Sequence, residues 1–152
     1  MKIVSRWLLA TVLLLFGSRS VAAQASIAFT NGNGGSFIIA SAVAGQNPTP
    51  VSNGAGGFNT KTKTNDGILR IRAQLDQPMP PNTTLTLTLT YPLGTNRGAQ
   101  VLDITPADMV VNITPPNGNT TTPGTVSYSF TATASAGVLA PFTRIVTLTI
   151  GP

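Results

Sequence analysis

Residues 84–91 read TLTLTLTY, and nothing else in the chain limits its fold as tightly. In an extended chain Leu85, Leu87, Leu89 and Tyr91 lie on one side, and Thr84, Thr86, Thr88 and Thr90 on the other. Successive side chains of a strand point to opposite faces, so this run forms a strand with one apolar and one polar face. Threonine suits the wet face because it is both β-branched and polar. A helix would scatter the same leucines around its circumference.

The period recurs. In residues 68–75, ILRIRAQL, Leu69, Ile71, Ala73 and Leu75 face one way, and Arg70, Arg72 and Gln74 the other. Val126, Tyr128, Phe130 and Ala132 alternate with Ser127, Ser129 and Thr131, and Val146, Leu148 and Ile150 with Thr147 and Thr149. Residues 101–104 and 109–113 are shorter and more apolar, as expected of strands buried on both faces. Residues 26–30 and 36–43 read as two further strands, the second with Phe37 and Ile39 on one face.

Turn signals separate these runs. Asp66-Gly67 stands between FNTKTKT and ILRIRAQL, which predicts a tight hairpin because glycine tolerates positive φ. That hairpin would bring Lys61 and Lys63 beside Arg70 and Arg72 as a basic patch of four charges. Residues 92–98 (PLGTNRG), 114–124 (TPPNGNTTTPG) and 136–141 are expected loops. Residues 45–57, GQNPTPVSNGAGG, have no apolar period and are expected to form a long loop or hinge. No stretch after the leader sustains a helical period. The expected fold is an all-β antiparallel sandwich, Ig-like or pilin-like, of seven to eight strands. Its core is expected to include Ile71, Leu87, Phe130 and Leu148. An outer-membrane barrel is the competing architecture, but the strands are short and show no paired aromatic girdle.

Residues 1–25 read as a cleaved secretory signal peptide. Lys2 and Arg6 are the positive region, Trp7–Gly17 the apolar region, and Ala23-Gln24-Ala25 the small-x-small cleavage site. The expected mature chain starts at Ser26, with a cut after Ala23 as the runner-up. The apolar run is shorter than the roughly 20 residues a membrane span needs. The expected organisation is therefore a signal peptide over 1–25, then N-terminal strands and a Gly/Pro-rich loop over 26–57, then the main sandwich over 58–152. Two Gly-rich stretches, 31–35 and 54–57, would let 26–43 swing out as an arm onto a neighbouring subunit, the alternative being that it forms the first strands of its own sandwich. The expected location is secreted or cell-surface, with the periplasm as a variant, and the cleaved chain is not an integral membrane protein.

The residues absent after the leader bear on function. Beyond residue 25 there is no histidine, cysteine, glutamate or tryptophan. Most hydrolytic, redox and metal chemistry draws on the first three. The acids are Asp66, Asp76, Asp103 and Asp108, and each sits where an aspartate favours a turn or flanks one. None falls in a catalytic or metal-ligating motif, so no catalytic, cofactor-binding or metal site is expected. Six cations (Lys61, Lys63, Arg70, Arg72, Arg97 and Arg144) against these four acids leave a net +2, which gives no reason to expect nucleic acid as a partner.

An exported Thr-, Asn- and Gly-rich sandwich resembles bacterial pilin- and adhesin-type domains in architecture and composition. Chaperone–usher pilins commonly carry a disulfide, and this chain has no cysteine. The expected role is a non-enzymatic structural or cell-surface protein, a filament or surface-layer subunit that associates with itself or with another surface protein. A secreted module binding a glycan or an envelope protein is the alternative. Its site would lie in the loops at 45–57, 92–98 or 114–124.

Overall fold

The computed structural model describes residues 25–31, 36–39, 43 and 45–152. The proposed signal peptide, apart from Ala25, lies outside the described residues, as does the Gly-rich stretch 32–35. The described chain is all-β. Its strands are β1 (Ser26–Asn31), β2 (Val51–Lys63), β3 (Leu69–Leu75), β4 (Thr83–Thr90), β5 (Thr95–Asn96), β6 (Gln100–Val101), β7 (Ala107–Ile113), β8 (Asn119–Ala132) and β9 (Val146–Gly151). Seven of them run six residues or more; β5 and β6 are two-residue pairings.

All pairs are antiparallel, in two sheets of order β1-β2-β8-β4-β6 and β5-β7-β3-β9. Among the described residues the sheets are open, each with two edges, and do not close into a barrel. Among the described residues no helix is long and apolar enough to cross a membrane.

The Leu/Thr run forms β4 as its period demands, with Leu85, Leu87, Leu89 and Tyr91 buried. The apolar face of β3 packs with them: Leu69, Ile71, Ala73 and Leu75 are buried. Phe58 from β2, Leu102 just after β6, Met109, Val110 and Ile113 from β7, Val126, Tyr128 and Phe130 from β8 and Ile150 from β9 complete the core. Leu148, expected in that core, is only half-buried because β9 is an edge strand.

Several loops and pairings differ from expectation. Asp66-Gly67 does not close a hairpin. β2 and β3 lie in different sheets, and the 3-10 turn Thr64–Asp66 carries the chain from one to the other. The turn chemistry is otherwise as read: Asp66 Oδ2 accepts from the Lys63 amide at 2.6 Å, and Gly67 has φ +73°. The stretch 45–57 is not one loop, since residues 51–57 begin β2. Its glycines fall at a bulge: the register with β8 shifts by one residue between Asn53 and Gly56. The stretch 114–124 likewise ends inside β8. Pro123 stands beyond the reach of β4, which pairs with Thr125–Ala132. There the strand has a neighbour on one side, where a missing N–H is tolerated.

Ser36–Ile39 is not a strand, although its side chains alternate as read: Phe37 and Ile39 pack against the core and Ile38 is exposed. Residues 40–42 of that run lie outside the described residues. Of residues 101–104 only Leu102 is buried, so this segment is not covered on both faces.

Candidate functional site

The four acidic side chains serve the architecture. Asp76 Oδ1 accepts from the Ile145 amide at 2.9 Å, and Asp103 Oδ1 from the Ile104 amide at 2.8 Å. Asp108 lies opposite Arg72 across the β3–β7 ladder and takes its Nε at 3.1 Å. Arg70 reaches the other oxygen of Asp108 at 3.6 Å. With both arginines and the aspartate about 40% exposed, water screens this cluster, and such pairs contribute roughly 0.2–1 kcal/mol. With Asp66 on Lys63, all four acids hold turns or strands in register. Among the described residues no three acids come together as a metal cluster.

The four-charge basic patch does not form. Phe58, Thr60 and Thr62 point into the sandwich, so Lys61 and Lys63 stand on the outer face of their sheet. Arg70 and Arg72 stand on the outer face of the other sheet, because Leu69, Ile71 and Ala73 point inward. The two pairs look in opposite directions.

Neither tyrosine offers an exposed platform. Tyr91 stacks on Phe58 at 5.7 Å, and its hydroxyl lies 2.6 Å from Thr60 Oγ1. Tyr128 is buried under Phe37, and burial pushes its hydroxyl pKa up. Phe142 is partly exposed but rests on Phe130 beneath the Arg144 guanidinium.

The loops proposed as binding sites are tied down. In 92–98, Asn96 bonds both the amide and the carbonyl of Tyr91, at 2.9 and 3.0 Å. Gly94, at φ +79°, backs so closely onto Val111 and Ile113 that a Cβ there would clash. Two open depressions flank the β4–β8 pair. One lies between Asn47–Pro50 and the strand ends at Thr83 and Ala132, the other between Tyr91-Pro92 and Pro123-Gly124. Neither is lined by an acid or a base.

The sheet edges are the most distinctive surface; sequence reasoning marked β1, within 26–43, as part of an exchanging arm but did not single out β9. At one side of the sandwich the edges are β5 and β6, two residues each. At the other they are β1 and β9, six residues each, with neither a charge nor a proline. Folded proteins ordinarily guard edges with short strands, charges, prolines or bulges. Here one side follows that rule by shortness. On the other side β1 has a register break between Phe29 and Asn31, while β9 is unguarded. Alternating Val, Leu and Ile among threonines was the available signal, but strand order, which decides what is an edge, is not written locally.

No family model, curated protein or solved structure matches this chain.

Proposed function

We propose that this is an exported, non-enzymatic structural protein of the cell surface that works by associating with itself, as a subunit of a filament or surface layer. The observation that carries the reading is the contrast between the two sides of the sandwich: blunt edges on one, and a six-residue, uncharged, proline-free edge on the other. Such an edge is a template for another strand. The acids are engaged in turns and cross-strand pairs, which leaves little for catalysis. The buried tyrosines disfavour a glycan platform. Export rests on the leader-like residues 1–25, and β1 begins at Ser26, so cleavage after Ala25 leaves that strand whole.

Electron microscopy of the purified mature chain and of the native cell surface tests the reading. Ordered assemblies in both, labelled by an antibody to the chain, are the expected result. Single particles at every concentration, with no assembly on the cell, would turn the assignment to a binding module.

A further inference from the structure

The edge that points furthest is β9, Val146–Gly151. One side pairs with β3 in unbroken register, from Val146 opposite Leu75 to Gly151 opposite Arg70. Among the described residues no strand pairs with the other side, and β1 lies near β9 across the sandwich without bonding to it. Thr147 and Thr149 are exposed, and Val146 and Leu148 half-buried. A short, β-prone, uncharged segment without proline is the composition that joins strands between chains.

The order of residues in β9 selects its occupant. Val146-Thr147-Leu148-Thr149-Ile150 has the same pattern in both directions: β-branched apolar, threonine, leucine, threonine, β-branched apolar. A strand with that symmetry complements itself when turned end for end. We infer that β9 pairs antiparallel with β9 of a second copy about a two-fold axis at Leu148, making the four-stranded sheet continuous over eight strands.

In that register Leu148 meets Leu148 of the second copy, Val146 meets its Ile150, and Thr147 meets its Thr149. The apolar pairs lie on the core side, where each copy alone leaves Val146 and Leu148 half-exposed. The threonine pairs lie on the outer face, where β-branched polar pairs are favourable. A one-residue slip would set threonine among the core-side residues and leucine outside, so the pattern fixes the register as well as the partner. β1 is the weaker candidate because of its register break. The contact is isologous and closes on itself, so the pair is the repeating unit of any larger assembly.

This inference rests on the self-association proposed above, and its test separates the two. Solution mass is measured by light scattering for the mature chain, for Thr147→Lys/Thr149→Lys, for Thr147→Asp/Thr149→Asp, and for an equal mixture of the two variants. Both positions are exposed, and circular dichroism checks that each variant folds. The mature chain is expected to show the mass of a pair or a multiple of it, each variant a mass at least twofold lower, and the mixture the mass of the mature chain again, because unlike charges then face each other. As a second readout that leaves the threonines alone, Leu148→Cys in this cysteine-free chain is expected to form an oxidised dimer, whereas Val146→Cys, far from its own symmetry mate, is not. If the charged variants keep the mass of the mature chain, or Leu148→Cys fails to cross-link within an assembled sample, the β9 pairing is wrong and self-association stands. If the mature chain is a single molecule at all concentrations, both fall.

Discussion

The ring of Phe58 lies across Gly124, its direct neighbour on β8, so closely that a Cβ at Gly124 would overlap it. The glycine makes the place in which the ring lies flat against the sheet and stacks on Tyr91. Gly124→Ala should therefore cost more than a usual surface change, about 1–3 kcal/mol as overpacking does. Pairing it with Phe58→Leu should recover part of the loss. Urea denaturation of the two single variants and the double one measures the coupling, and strictly additive losses would show that ring and glycine do not depend on each other.

Leu87 and Thr88 are neighbours on opposite faces of β4. Leu87 is fully buried and Thr88 only partly covered. Leu87→Ala should lose about 2–5 kcal/mol and Thr88→Ala well under that. Equal losses in thermal or urea unfolding would mean that the register of β4 is wrong.

Much of the fold was legible because period two says which residues face inward wherever apolar and polar types differ. It worked for β3, β4 and the second half of β8. It failed for β2, where threonine takes the inner face, and for the first half of β8, where threonine lies on both faces. Thr60, Thr62 and Thr122 are buried, yet they read as part of a polar arm and a loop. The lysines alternating with Thr60 and Thr62 were the available sign, since Lys61 and Lys63 must reach water. The Asp-Gly turn was legible as a turn but not as a passage between sheets. Its local geometry is the same in either case, and only long-range packing decides.

Those buried threonines make a prediction of opposite signs. Among the described residues Thr62 Oγ1 is buried without a hydrogen-bond partner, whereas Thr60 Oγ1 is bonded to the Tyr91 hydroxyl. Thr62→Val removes a desolvated hydroxyl at nearly constant shape and should raise stability by about 1 kcal/mol. Thr60→Val leaves the Tyr91 hydroxyl unpaired and should lower stability by about 1–3 kcal/mol. Calorimetric melting of the two variants checks the signs.

Burial raises the pKa of Tyr128. The folded chain therefore holds that proton more tightly than the unfolded chain. The associated stability is complete below the unfolded value of about 10, and is lost as pH rises from there through the folded value. Tyr128→Phe should flatten the alkaline fall in stability, read from urea midpoints between pH 9 and 11. An unchanged slope would place the sensitivity elsewhere.

Secreted material should begin at Ser26. N-terminal sequencing decides this, and recovery of the chain from membranes with Met1 intact would contradict export by cleavage.

Self-association as proposed makes the unguarded edge at β9 the working surface of this protein. Amide hydrogen exchange at residues 146–151, followed as the mature chain is concentrated, tests it most directly. Protection of β9 amides is expected to rise with concentration while the amides of β5 and β6 stay unchanged. Exchange at β9 that does not vary from dilute to concentrated solution would contradict it.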